Sequence, residues 1–171
     1  MNNPWIKYSA YFVLIVLVQG LVIQNIQINE YLNPMIYPVM ILLLPFELNV
    51  LASLVVALVL GLAVDSFGNG FGLNASATMV IGYLRPSLLK IIKPRDGYDA
   101  SLLPTIHDMG KLWFLTYATL LLFIHHLWFF TIEIFRFDLF FLILSKTISS
   151  VVFSLLLIIL FQYIFYKPSK K

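Results

Sequence analysis

Apolar residues run in long blocks along this chain, and polar residues collect in short breaks between them. Six blocks can be drawn, over roughly 8–26, 35–46, 50–64, 75–84 with an apolar extension to 92, 112–130 and 139–166. A helix needs about 20 apolar residues to cross the hydrocarbon core of a bilayer, and the first, fifth and sixth blocks are long enough alone. The second is short and bracketed by Pro34, Pro38 and Pro45, so it is expected to be tilted, re-entrant or packed between neighbours, and whether 35–46 spans is left open. Pro45, Glu47 and Asn49 form a polar break that should join the second and third blocks as a helical hairpin. The pattern predicts an all-α fold: a polytopic integral membrane bundle of about six transmembrane helices, the second short or irregular.

Composition narrows the class. Of 171 residues, 61% are hydrophobic and only 11% charged, and the mean hydropathy of +0.94 lies far above that of a water-soluble domain. One membrane domain over 1–171 accounts for the whole sequence, with no stretch left for a second, soluble one. The 11 basic residues are too dispersed for a nucleic-acid surface, and the absence of cysteine excludes thiolate metal sites and cysteine nucleophiles. The first block continues through Val22 into Gln24, Asn25 and Gln27, which reads as a retained helix rather than a cleaved signal.

Charge then sets topology. Lys90, Lys93, Arg95 and Lys111 flank one loop, about 93–111, and Lys167, Lys170 and Lys171 form a tail over 167–171. Cytoplasmic segments hold the excess of Lys and Arg, so both clusters are expected inside and the C-terminus is cytoplasmic. Lys7 is then inside if the second block spans and outside if it does not. Either way the loop from Asp65 to Asn74 faces outward. The loop after the fourth block is the largest cytoplasmic feature and the natural face for a soluble partner, although a solvated linker is the default.

Within this frame several residues carry information. Ser53, Ala57 and Gly61 recur every four residues and lead to Asp65, placing small side chains on one helix face; Thr78 and Gly82 follow Asn74 at the same spacing. Helices three and four should therefore pack closely, with Asn74 as a cap and glycines such as Gly72 turning the chain. Lys146, with Ser150 and Ser154, points along a polar stripe toward protein, within reach of Asp65, Glu133 or Asp138, and an intramembrane Asp65–Lys146 ion pair is the sharper expectation beside simple snorkelling. Gln19 and Gln24 should meet another helix or another protein. His125 and His126 point to different sides of a helix without a third ligand at helical spacing, so they read as interfacial histidines near Trp128 and no metal is expected. The run from Arg85 to Lys93 alternates basic and apolar residues, as a segment lying on the inner leaflet would, with Arg85, Lys90 and Lys93 at the headgroups.

These features together resemble the rod shape-determining MreD family of bacteria, over essentially the whole chain. The likeness rests on Gln19 in Leu17-Val18-Gln19-Gly20-Leu21, the proline-led second segment from Pro34, Gly61-Leu62-Ala63-Val64-Asp65 followed by Gly72, and the basic segment after helix four. The tandem prolines are a departure from the pattern. The resemblance implies a component of the cell-elongation machinery for peptidoglycan synthesis in the inner membrane. Its implied partners are MreC, MreB, RodA and a class B penicillin-binding protein, and it implies no catalytic site and no cofactor. It also implies a fold like the substrate-binding membrane subunits of energy-coupling vitamin transporters.

The leading expectation is thus a scaffold whose helix faces, marked by Gln19, Ser53, Ala57, Gly61, Asp65, Gly72, Thr78 and Gly82, serve partner binding or helix packing. The alternative is a small-molecule-binding subunit of such a transporter, with its ligand beneath the outward loop around Asp65. An intramembrane enzyme using Asp65, His125, His126 and Glu133 is the third, and lacks an arranged nucleophile or paired acids.

Overall fold

A computed structural model of the chain describes residues 4–25, 32–68, 70–99 and 101–166. All regular structure among them is helical: α1 (Pro4–Leu17), α2 (Val39–Leu42), α3 (Val50–Asp65), α4 (Leu73–Ile91), α5 (Ile106–Met109), α6 (Lys111–Ile134) and α7 (Phe140–Phe165). Helix α1 continues through a π-helical turn, Val18–Val22, and a 3-10 turn, Ile23–Asn25. Three stretches are long and apolar enough to cross a membrane, Tyr8–Asn25, Lys111–Ile134 and Phe137–Phe165, and Val50–Asp65 is a shorter apolar helix. The protein is therefore a helical membrane protein, as the apolar blocks require. The basic tail over 167–171 lies outside the described residues.

Exposed Val13, Leu51, Val55, Leu62, Ile148 and Leu156 cover the outside of the bundle, where lipid replaces water as solvent. Its two ends are distinguished by their connections. The turn end carries the residues between α3 and α4 and those between α6 and α7; the loop end carries the long connection from α4 to α6. Helix α1 begins at the loop end, where the Tyr11 hydroxyl donates to the Phe165 carbonyl at 3.0 Å. It finishes at the turn end, where Gly20 lies against Phe67.

Helices α3 and α4 form the tightest seam. A Cβ on Gly61 would overlap the backbone of Ala75 and the Thr78 hydroxyl, and one on Gly82 would press on Ala57 at 3.1 Å. The spacing of four therefore does what the sequence predicts: it lets two backbones approach more closely than larger side chains permit. Asn49 begins α3, its Oδ1 accepting from the Ala52 N–H at 2.7 Å. Gly72 precedes α4 at φ +89°, a left-handed conformation that glycine adopts without a Cβ clash.

The second apolar block departs from a spanning helix. Only Val39–Leu42 is helical, yet Pro34 through Val39 are all buried. The segment threads between the long helices, and its contacts step backward along α6: Tyr37 at His125, Leu42 at Tyr117, Phe46 at Trp113. Those twelve residues of α6 correspond to about 18 Å of helix axis. A proline-interrupted chain can lie at that depth because it is enclosed by protein that satisfies its backbone.

Candidate functional site

The threaded segment makes few hydrogen bonds to itself before α2, so its amides need partners elsewhere. Three side chains supply them. Ser150 Oγ accepts from the Asn33 N–H at 3.0 Å, Ser154 Oγ from Met35 at 2.8 Å, and Gln19 Oε1 from Ile36 at 2.8 Å. Gln19 Nε2 also faces the Pro34 carbonyl at 3.5 Å. Gln19 lies in the π-helical turn of α1 and is buried there, a distortion that often marks a functional position in an otherwise regular helix. Its amide thus serves the threaded chain much as a neighbouring strand would.

The histidine tautomers follow from this network. His126 Nδ1 faces the Leu122 carbonyl at 2.8 Å, an acceptor only, so the proton sits on Nδ1 and Nε2 accepts from the Ser154 hydroxyl at 3.1 Å. Ser154 then passes polarity from the Met35 amide to the imidazole. Beside it, Tyr37 Oη lies 2.8 Å from Asn74 Oδ1 and 2.9 Å from His125 Nε2. Asn74 Oδ1 can only accept, so Tyr37 donates to it and His125 Nε2–H donates to Tyr37. The remaining atom, His125 Nδ1, is buried and has no hydrogen-bond partner among the described residues.

The chain of dipoles ends on Asp65. Asn74 Nδ2 donates to Asp65 Oδ1 at 2.8 Å, while the Asn74 and Ala75 backbone N–H groups donate to Oδ1 at 3.1 Å and Oδ2 at 3.0 Å. Asp65, the last residue of α3, therefore caps α4 across the turn, and its negative charge faces the positive end of that helix. Gly70 lies so close that a Cβ there would collide with the carboxylate.

A second polar centre lies toward the loop end. Arg85 is fully buried, and among the described residues no carboxylate pairs with it. Its Nε donates to Tyr117 Oη at 2.8 Å, one terminal nitrogen to the Pro45 carbonyl at 3.4 Å and the other to the Leu44 carbonyl. Tyr117 donates onward to the Leu42 carbonyl at 3.0 Å. The guanidinium is thus solvated by the Tyr117 hydroxyl and by carbonyl dipoles just past the end of α2, and it keeps its charge. Around it, Phe46 stacks on Tyr98 at 4.3 Å between ring centroids, Trp113 Nε1 donates to the Ile92 carbonyl at 3.2 Å, and Gln162 Oε1 accepts from the Ile106 N–H at 2.8 Å. Tyr98 donates its hydroxyl to the Leu89 carbonyl, and burial raises its pKa. The connection is consequently packed on the bundle at Tyr98 and over 104–106, while Arg95, Asp96, Asp99 and Ser101 stay exposed.

Several sequence expectations change on this geometry. Asp65 does not pair with Lys146, because both its oxygens are engaged by the start of α4; Lys146 lies 3.8 Å from Glu133 and over the Phe130 ring. Arg85 does not reach the inner leaflet, because its position in α4 turns it into the bundle, whereas Lys90 and Lys93 are exposed. His125 and His126 are core residues instead of interfacial ones, since the threaded segment brings the Tyr37 hydroxyl to His125 and α7 brings the Ser154 hydroxyl to His126. Asn74 does not cap α4 itself; it lies within the first turn and holds Asp65 to Tyr37. Gln19 and Asn74 join one network with Asp65 at its edge, whereas Ser53, Ala57, Gly61, Thr78 and Gly82 belong to the α3–α4 seam. The signal for both histidines and Arg85 was their place inside apolar blocks, where ionisable groups are costly unless held.

Neither a family model, a curated protein nor a solved structure matches this chain.

Proposed function

We propose that this protein is a membrane scaffold, and specifically that it acts as an MreD-type component of the bacterial cell-elongation machinery, binding MreC and helping organise MreB, RodA and a class B penicillin-binding protein. The observation that carries the reading is how the bundle spends its interior polar groups. Gln19, Ser150, Ser154, His126 and Tyr37 are engaged in holding the threaded segment and the start of α4, so they brace a shape. A ligand-binding subunit would need such groups free to converge on its cargo, which weighs against the transporter reading. The Gly61-to-Asp65 and Gly72 pattern that carries the family resemblance coincides with the α3–α4 seam and its trans cap. In this reading the threaded segment counts as a crossing, both ends of the bundle's chain lie in the cytoplasm, and the turn end faces the periplasm.

Partner contacts then belong on exposed helix faces, since Gly61 and its neighbours are used within the chain. The absence of cysteine makes this mappable. Single cysteines at exposed Leu17, Leu51 and Ile148 would be crosslinked in native membranes and the tagged protein recovered in mild detergent. Capture of MreC from one face, with cell-wall synthases in the same complex, supports the scaffold. Recovery of an ATPase module or a bound vitamin in their place overturns it.

A further inference from the structure

The loop end joins two segments that are far apart in the sequence. The hydrogen bond from Trp113 Nε1 to the Ile92 carbonyl, 3.2 Å, sets the end of α4 beside the start of α6. This brings Lys90 and Lys93 into the neighbourhood of Lys111, all three exposed. None lies within ion-pair distance of a carboxylate among the described residues. Between the lysines stand two apolar side chains that the bundle leaves outside, Ile91 at 80% and Leu112 at 81% exposure. A water-facing surface would be a poor place for such residues. A surface at the edge of a bilayer suits them, because apolar side chains enter the acyl region while lysine stems reach the phosphates. Trp113, next to Leu112 in the chain and partly exposed, packs its ring on Tyr117 and Tyr98 while its Nε1 donates to the Ile92 carbonyl, an amphipathic arrangement typical of side chains at that level.

We infer that Lys90, Lys93 and Lys111, with Ile91 and Leu112, form a binding site for anionic phospholipid in the adjoining leaflet. Three unpaired cations attract a lipid phosphate that carries net negative charge, and a zwitterionic headgroup gains far less from them. Arg85 is excluded, since it is fully buried and turned into the bundle. The site requires only that the protein is inserted in a membrane, so it stands or falls separately from the scaffold reading.

Trp113 provides the probe. In the full-length protein with Trp5→Phe and Trp128→Phe, leaving one tryptophan, fluorescence would be measured in bilayers containing brominated phosphatidylglycerol or brominated phosphatidylcholine at equal mole fraction. Each basic residue near an anionic surface is worth about a fivefold change in binding, so quenching should report a lipid preference of about fivefold or more for phosphatidylglycerol. The preference should fall toward unity in Lys90→Gln/Lys93→Gln/Lys111→Gln and persist when the same three are replaced by arginine. Raised salt should weaken it. Equal quenching by the two lipids in the parent overturns the proposal, as does a preference that survives the triple glutamine change. Circular dichroism on each variant checks that the helices are intact, and the arginine variant keeps the test decisive if the glutamine variant fails to fold.

Discussion

Removing the Asp65 carboxylate should loosen the start of α4 without touching the apolar core. Its two oxygens accept two backbone N–H groups and one side-chain amide at 2.8–3.1 Å, and no side chain of α4 caps that helix. Losing a capping side chain typically costs about 1 kcal/mol and at most about 2. Removing a charge from a helix N-terminus adds about 0.3–1 kcal/mol. Asp65 is half-buried, so water reaches the freed amides in part, and Asp65→Ala should cost about 1–3 kcal/mol in total. Asp65→Asn retains one carbonyl oxygen and should lose about half as much. The assay is unfolding by sodium dodecyl sulfate in mixed micelles, followed by circular dichroism. The double variant Asp65→Ala/Asn74→Ala should cost less than the sum of the single ones by about 1 kcal/mol, because the two side chains share a bond. An Asp65→Ala protein within about 0.5 kcal/mol of the parent would refute the trans cap, since that is the scale of an unremarkable surface change. Strict additivity with Asn74→Ala would refute the shared bond.

Other changes should separate the seam, the arginine and the surface pair in the same assay. Gly61→Ala should cost about 1–3 kcal/mol by overpacking, whereas Gly20→Ala should cost less, since a half-exposed Phe67 ring is what must move. Arg85→Leu should cost about 1–3 kcal/mol, because the Leu44 carbonyl and the Tyr117 hydroxyl lose a charged hydrogen-bond partner inside the bundle. Arg85→Lys should not restore the parent's stability, as one ammonium cannot match the planar fork. Ser154→Ala strands both the Met35 amide and His126 Nε2, for about 1–3 kcal/mol. Lys146→Gln should change stability by under about 1 kcal/mol, since its contact with Glu133 is long at 3.8 Å and only partly buried.

The elements legible in the sequence were those governed by local periodicity. The α3–α4 seam could be read from Ser53, Ala57, Gly61, Thr78 and Gly82 because a helix face repeats every few residues, and Asn49 before Val50 marked a start. What could not be read were pairings between distant positions. Nothing local to Arg85 says that its partners are carbonyls about forty residues earlier. The sequence around Asp65 shows a charge near a membrane surface and equally allows Lys146 or the next helix as its counterpart. Tandem prolines announced that 35–46 would be irregular, yet its path depended on hydroxyls and amides contributed by α1, α6 and α7. The histidines were read as interfacial for the same reason: His125 is met by Tyr37, on a segment that has no helical pattern to predict its route, and His126 by Ser154 on a helix 28 residues further along.

The threaded segment also bears on how the chain is made. Asn33 and Met35 find their hydroxyl partners 117 and 119 residues later, and Leu42 finds Tyr117 after 75. When residues 32–46 leave the ribosome, none of those partners has been synthesised. On its final path a bilayer interior would leave the Asn33 and Met35 amides unpaired at that stage, so that path closes only once α7 is present. The final architecture is therefore reached after the last helix is released, by closing the bundle around a segment translated near the beginning. Any factor that delays release of α7 prolongs the interval in which that segment is open to degradation or to chaperones.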